Sequence, residues 1–334
     1  MNSISNTYII NLPKDSQRLK ETLEQTSIFP KRVIVSSGID GKNIPEKMKR
    51  YVNPGNFVPK GAIGCALAHI RVWEKIVEND DKFGLVLEDD IILADNFLEK
   101  FDKIFPTVPK DFYILYLGCH LGCDIKKEYS FEYSVVSLIN KFRKKVVAVN
   151  ENVFTPASPL ATHSYVLSNK GAKHLLAYFS KNKIQAHVDM QILEPIYKVP
   201  SYAINPVLAK QRVLDINLSN NTPNKYPAIL NEYFSNFIDS DNTPMSYKLS
   251  VPGAEISGTP VNMYTAVFFI IGLILGVIGV GIRPVIVFVS IFSLIEINKT
   301  FGLSSNKLDV IKFLKNTLLM VVVLFTGFLL ANKN

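Results

Sequence analysis

Three consecutive carboxylates, Glu88-Asp89-Asp90, close an unbroken apolar run from Phe83 to Leu87. Adjacent carboxylates repel one another, so a folded chain that keeps them together needs a compensating interaction. In an extended chain Glu88 and Asp90 point to one face and Asp89 to the other. Their α-carbons would then lie about 6.5 Å apart, close enough to converge on one cation. A divalent ion held by one or two carboxylates and by a substrate diphosphate supplies such an interaction, and carboxylate oxygens suit Mg²⁺ or Mn²⁺. A solvated, charged turn is the competing reading of the same three residues. Cys119, His120 and Cys123 form a second possible ligand group. No second ligand pair follows downstream, so these cysteines read as small buried thiols.

The elements that must position the triplet alternate along the chain. Tyr8 to Leu12 is a β-rich run ended by Pro13, with a charged helical stretch to about Leu23. Arg32 to Val35 is a second strand, closed by Gly38 and the Asp40-Gly41 turn. Between Gly61 and Val77 apolar residues recur at helical spacing. After the Phe83–Leu87 strand come a helix from Asn96 to Phe105, a strand from Phe112 to Leu117, a basic irregular stretch at 124–150, and a strand from Ala161 to Leu167 with its helix from Lys170 to Phe179. Such alternation predicts an α/β domain with a mostly parallel sheet, and these sheets bind ligands at the carboxyl ends of their strands. The triplet sits at such an end. Asn11 and Arg18 lie at the first strand–helix junction, where Arg18 could pair with phosphate. Asp40 and Gly41 belong to a turn that could close over a base or ribose or simply connect two elements. Gly64 would permit close backbone approach at a helix start, and His69 on that helix is either a substrate contact or a hydrogen-bonded structural histidine.

The 334 residues carry a net charge of +8 and 48% hydrophobic side chains, which excludes wholesale disorder. The first 260 residues hold 31 basic and 27 acidic groups. That mild balance without a concentrated stripe argues against a nucleic-acid partner. Residues 261–297 contain only Arg283 and Glu296 as charges, and 316–331 contain none. Residues 261–282 and 313–331 each reach the length of about 20 apolar residues that a bilayer requires, with a shorter apolar segment at 284–297 between them. The reading is therefore a catalytic domain at 1–235, a linker at 236–260, and a membrane-anchoring segment at 261–331 with two or three transmembrane helices. The basic loop 298–312 prefers the cytoplasm. Three scattered cysteines give no disulfide framework and point to a reducing compartment, and no basic-then-apolar signal region opens the chain.

Four ordered segments resemble bacterial glycosyltransferase family 25, the lipooligosaccharide galactosyltransferases related to the collagen galactosyltransferases. Ile9-Ile10-Asn11-Leu12 followed by Arg18 is similar to the family's opening strand and arginine. Ser37 to Gly41 is similar to its Ala-x-Asp-Gly turn, and Gly61 to His69 to its Gly-x-x-Gly-Cys-x-x-Ser-His helix, with Ala68 where serine is common. Phe83 to Asp90 resembles its strand ending in Glu-Asp-Asp. Weaker similarity continues through Tyr165–Ser168, Gly171-Ala172, Val188-Asp189 and Pro206–Gln211, so the resemblance covers about residues 6–212.

The resemblance implies a metal-dependent fold of the glycosyltransferase A type that uses a nucleotide sugar and inverts the sugar carbon. It implies Glu88 and Asp90 as metal ligands and favours Mn²⁺ over Mg²⁺. It also implies donor contacts from Asn11, Arg18, Asp40, Gly41, Gly64, His69 and Asp89. An inverting transfer needs a base for the acceptor hydroxyl; Asp189 is the acid the resemblance favours, and a plain helix cap is its alternative. The function so implied is transfer of a hexose, galactose from UDP-galactose, to a lipooligosaccharide or another glycolipid. Transfer of another sugar, a non-catalytic glycan-binding protein and a transport-associated protein are the alternatives. The expected location is the bacterial inner membrane, with the catalytic domain facing the cytoplasm and a glycolipid acceptor at the same surface.

Overall fold

The computed structural model describes residues 1–120, 146–157, 159–212, 226–237, 245–256, 259–303 and 310–332. They fall into two compact units, Met1–Arg212 and Val213–Asn334. Of the second unit the structure describes residues 226–237 and onward.

The first unit contains strands β1 (Asn6–Asn11), β2 (Val33–Ser37), β3 (Phe83–Glu88), β4 (Ile91–Leu93), β5 (Ile114–His120), β6 (Val147–Ala148), β7 (Val153–Thr155), β8 (Leu160–Ser168), β9 (Ser201–Ile204) and β10 (Ala209–Gln211). Its helices are α1 (Ser16–Thr26), α2 (Lys60–Glu78), α3 (Phe97–Ile104), α4 (Asn169–Asn182) and the single turns α5 (Val188–Gln191) and α6 (Leu193–Ile196). Eight strands form one sheet in the order β2-β1-β3-β8-β5-β9-β7-β6, and β4 pairs separately with β10. Six of the eight run in one direction, with β8 and β7 against them, so the sheet is mostly parallel in strand direction. Neighbour pairing is nonetheless mixed, because β8 slots antiparallel between β3 and β5.

β3 lies at the centre, and its side chains explain why it is apolar throughout. Val86 joins the core formed with Trp73 and Ile76 of α2 and Phe179 of α4. Leu85 and Leu87 join the opposite core, with Phe97 and Phe101 of α3. A strand buried on both faces has no solvent side to alternate toward. The irregular stretch expected at 124–150 lies mostly outside the described residues, and its end forms β6. Cys119 is disulfide-bonded whereas Cys65 is free, which corrects the reading of three separate thiols.

The second unit contains α7 (Ala228–Ser235), α8 (Met245–Ser250), the hairpin of β11 (Ala254–Ile256) and β12 (Thr259–Val261), and helices α9 (Met263–Val277), α10 (Ile282–Leu303) and α11 (Val310–Ala331). α8 and β11 lie within the stretch 236–260 expected to be a linker. The buried Glu296 of α10 accepts backbone N–H bonds from Ala228 and Ile229 at 2.6 and 2.8 Å, which satisfies the open first turn of α7.

Among the described residues one helix is long and apolar enough to cross a membrane, the Phe313–Ala331 part of α11. This corrects the expectation of two or three spans. α9 has 15 residues, about 22 Å of helix against a hydrocarbon core of about 30 Å. It ends where it does because Gly279 adopts a left-handed φ of 71°. The Gly279 and Val280 N–H groups then fold back on the carbonyls of Gly276 and Leu275, closing a Schellman cap. α9 and α11 pack side by side in parallel. A Cβ on Gly272 would lie 2.0 Å from the Leu324 carbonyl oxygen, and one on Gly327 would lie 2.3 Å from that of Phe269. Glycine at these positions lets the two backbones touch.

Candidate active site

At the end of β3 Glu88 meets α2 and β8, whereas Asp89 and Asp90 share the Arg18 guanidinium of α1. Asp89 is buried against β1 and α1. The Asn11 side-chain amide donates to its Oδ2 at 2.7 Å, the Arg18 guanidinium pairs with Oδ1, and the Thr22 hydroxyl donates to its backbone carbonyl at 2.9 Å. Burial pushes the Asp89 carboxyl up to about 6, against the lowering effect of Arg18 and Asn11.

Glu88 turns toward α2 and β8. His69 Nε2 lies 3.3 Å from its Oε1, and the Thr162 hydroxyl donates to the same oxygen at 3.1 Å. Burial acts to raise this carboxyl, but the hydrogen bonds from His69 and Thr162 and the neighbouring His163 imidazole bring it below the ordinary value.

Asp90 begins the turn into β4. Its Oδ2 takes the Arg18 guanidinium at 3.1 Å and the Gln211 amide at 3.1 Å, and its carbonyl accepts the Arg212 N–H at 2.6 Å. Its other carboxylate oxygen, Oδ1, is buried with no hydrogen-bond partner among the described residues. Burial, then the charge of Glu88, pushes this carboxyl up to about 7. A buried, unanswered carboxylate oxygen beside a second carboxylate is what a bound cation would satisfy. The donor set of Glu88 and Asp90 fits a hard divalent ion.

A second set of possible ligand atoms overlaps this one. Cys65, His69 and Glu88 offer one atom each within 4.8 Å of one another. Burial holds the Cys65 thiol well above its usual range, helped by the surrounding carboxylates, so it stays protonated.

Asp189 lies on α5, where His187 rather than Asp189 occupies the cap position. Its Oδ2 accepts the Ala161 N–H at 3.0 Å and its Oδ1 the Met190 N–H at 2.8 Å. Ala161 has a φ of 67°, a left-handed conformation unusual for a residue with a side chain. Such strain persists only where the surroundings enforce it, and the Asp189 carboxylate is part of that enforcement. The next residue is Thr162, which reaches Glu88.

The remaining expected residues have other positions. Asp40 is exposed and closes its own turn, accepting from the Lys42 N–H at 2.9 Å and the Asn43 amide at 3.3 Å. Gly41 and Gly64 face each other across that turn and the start of α2. A Cβ on Gly41 would sit 1.7 Å from the Lys60 carbonyl oxygen, and one on Gly64 2.3 Å from that of Ile39. These contacts account for both glycines through packing. The structure therefore gathers Asn11, Arg18, His69, Glu88, Asp89 and Asp90 into one connected cluster and sets Asp40, Gly41 and Gly64 in a neighbouring junction. Thr162, Gln211 and Tyr165, to which the sequence assigns no site role, join the cluster. Gln211 ends the Pro206–Gln211 segment of weak similarity, and the other two lie on the expected Ala161–Leu167 strand.

Residues 4–192, more than half of the chain, match the family described as glycosyltransferase family 25 (LPS biosynthesis protein). The chain belongs to glycosyltransferase family 25. Family relatives differ in how much they share with it. A putative glycosyltransferase from Haemophilus influenzae is 26% identical over 212 residues, covering 61% of this chain and 68% of its own length. Procollagen galactosyltransferase 2 of Mus musculus is 26% identical over 125 residues, covering 33% of this chain and 20% of its own. A Bos taurus protein described as probable inactive glycosyltransferase 25 family member 3 is 25% identical over 186 residues, 51% of this chain and 28% of its own. The chain thus spans about a fifth to just over a quarter of the length of these two animal relatives. The family match contains the whole triplet, His69, Thr162 and Asp189, and stops before Gln211.

Proposed function

We propose that this chain is an inverting, metal-dependent glycosyltransferase of the A-type fold that moves galactose from UDP-galactose onto a lipooligosaccharide, a lipopolysaccharide or another glycolipid. The observation that carries the reading is the buried Oδ1 of Asp90, without a hydrogen-bond partner among the described residues, beside Glu88 at the end of β3. The name of the procollagen galactosyltransferase relative supports galactose, and the family description supports a lipopolysaccharide acceptor. In this reading Glu88 and Asp90 hold Mn²⁺, with Mg²⁺ as the alternative. When bound, the ion neutralises charge on the departing diphosphate.

The chain's own residues supply the rest. Asn11 and Arg18 hold Asp89 and Asp90 in place, and His69 holds Glu88. Asp40, Gly41 and Gly64 shape the junction proposed to border the donor. Asp189 takes the proton from the acceptor hydroxyl. That oxygen attacks the anomeric carbon from the face opposite the diphosphate, and the carbon–oxygen bond to UDP breaks with its electron pair going to the phosphate. Two backbone N–H bonds fix the Asp189 carboxylate and leave each oxygen a further lone pair to accept that proton.

The division of labour places catalysis before residue 236 and attachment to the inner membrane after residue 260. The α11 span supports attachment, and a cytoplasmic catalytic domain would meet its nucleotide sugar there. The disulfide at Cys119 favours the opposite, oxidising side, and alkylation of Cys119 in intact cells under non-reducing conditions separates the two.

The relative described as inactive favours a second reading, a glycan-binding protein without turnover. The deciding experiment is a donor panel assayed for hydrolysis and transfer with and without Mn²⁺, in the full chain and in Asp90→Asn. Metal-dependent turnover of UDP-galactose, reduced about 10²–10³-fold or more in Asp90→Asn, supports the proposal. Full turnover by Asp90→Asn in a chelator removes the metal assignment, and glycan binding without turnover of any donor establishes the second reading.

A further inference from the structure

His69 is buried in the middle of α2, between a carboxylate and two aromatic side chains. Its Nε2 lies 3.3 Å from Glu88 Oε1 and its Nδ1 lies 2.9 Å from the Tyr165 hydroxyl. The same hydroxyl lies 2.8 Å from Trp73 Nε1. Trp73, Tyr165 and His69 are each no more than 1% exposed, so water does not complete their hydrogen bonding.

The direction of this chain follows from its far end. An indole nitrogen only donates, so the Tyr165 oxygen accepts from Trp73. The phenol has a single proton, and the His69 imidazole is the one acceptor within reach of it among the described residues. If Nδ1 carried a proton, the buried phenol O–H would have nowhere to donate, which costs the full desolvation of that group. Tyr165 therefore donates to a bare Nδ1. The imidazole proton resides on Nε2, which faces Glu88.

We infer that Trp73, Tyr165 and His69 form a one-way hydrogen-bond chain that fixes His69 as the neutral Nε2–H tautomer and makes it a donor that positions Glu88. The consequence for the site is specific. Oε1 of Glu88 receives both His69 and Thr162, whereas its second oxygen takes no hydrogen bond among the described residues. That second oxygen is the one left to a cation. A nitrogen that carries a proton toward Glu88 has no lone pair for a metal, so the Cys65–His69–Glu88 grouping is not a ligand set. His69, Tyr165 and Trp73 are positioning residues, and Glu88 is the group they act through. The effect on the cation rests on the proposed role of Glu88, while the direction of the chain does not.

The test uses the full-length, metal-free protein labelled with ¹⁵N-histidine, with His69 identified by the resonances lost in His69→Gln. The expected spectrum shows a bare Nδ1 and a protonated Nε2 at His69. Tyr165→Phe removes the donor to Nδ1 and should convert that signal to a mixture of tautomers, whereas Trp73→Phe leaves the phenol with the same single acceptor and should keep Nδ1 bare. An Nδ1–H tautomer or an imidazolium at neutral pH in the wild-type protein overturns the inference, and so does an unchanged His69 spectrum in a folded Tyr165→Phe variant. If neither variant folds, the wild-type spectrum decides alone.

Calorimetric titration with Mn²⁺ is the second readout. Loss of an outer-shell donor typically weakens metal binding about 10–100-fold, expected here for His69→Leu and in part for Tyr165→Phe. His69→Gln keeps an N–H for Glu88 and should recover most of the affinity. Equal affinity in His69→Leu and wild type overturns the positioning role. A correct tautomer in a protein that binds no Mn²⁺ supports the chain's direction and counts against Glu88 as a ligand.

Discussion

β3 and α11 are both nearly continuous apolar runs, and the molecule uses them in opposite ways. Phe83 to Leu87 are buried without exception, enclosed by β1 and β8 at the edges and by helices on both faces. In α11 the apolar face that meets α9 includes Leu324 and Phe328, while Leu314, Leu318, Val322, Leu329 and Leu330 stay exposed. One run is apolar because protein surrounds it. The other keeps an apolar surface that no described residue of its own unit covers, the arrangement expected where lipid is the solvent. Composition does not separate the two; what stands on each side of the run does.

A carboxylate placed in each run probes the contrast most severely. Val86→Asp puts an unpaired charge into the core with Trp73 and Phe179 and should abolish folding of the first unit, read as loss of cooperative thermal unfolding. At the site that β3 delivers, Asp189→Asn should lower transfer by about 10²–10⁴-fold with UDP-sugar affinity nearly unchanged, when the two are measured separately. Lost donor binding without a separate rate defect would make Asp189 a donor contact, and unchanged transfer would leave it only the anchor of Ala161.

In the helical unit, Gly272→Val drives a side chain into the Leu324 carbonyl. It should cost about 1–3 kcal/mol, seen as earlier unfolding of the second unit with donor hydrolysis intact. A pH effect of a few degrees should separate the buried carboxylates from the rest. The folded-state values of Asp89 and Asp90, about 6 and about 7, lie above the ordinary 3.8. Folding therefore binds protons, and the stability that this contributes is complete below about pH 4 and lost as pH rises through 6 to 7. The metal-free chain should melt lower at pH 8 than at pH 5.5, and Mn²⁺ should restore more at pH 8. The smallest effect is the counterpart of the first. Leu318→Asp on the exposed face of α11 should change unfolding in detergent by no more than about 0.5 kcal/mol. The same variant should insert poorly into membranes, where a central charge costs about 2.5–3.5 kcal/mol.

The sequence made the triplet legible because its position after an apolar run is a local signal, and its neighbours Asn11, Arg18 and His69 lie on elements whose periodicity is plain. The contacts group the side chains differently from an extended strand, since Asp89 and Asp90 share Arg18 while Glu88 is held by His69 and Thr162. Thr162 was not legible, and Gln211 only as the end of the weakly similar Pro206–Gln211 segment. They reach Glu88 and Asp90 across 74 and 121 residues of chain, through an antiparallel strand inserted into the sheet and a short hairpin-like pairing that no local pattern announces. Asp40, Gly41 and Gly64 carry a strong sequence pattern, yet tight packing at the two glycines and the turn that Asp40 closes are enough to require it. In the tail hydropathy was read correctly and length was not, because one left-handed glycine at 279 stops α9 before it reaches a bilayer's thickness.

The parallel packing of α9 and α11 has a topological consequence. Two neighbouring helices that run the same way need a return path between them, so the pair is traversed an odd number of times. The point where the chain enters α9 and the point where it leaves α11 are then at opposite poles of the bundle. A reporter inserted ahead of Met263 and one fused beyond Ala331 would report from different ends, and a tag chosen for convenience at the carboxyl terminus would say nothing about the pole at which the bundle begins.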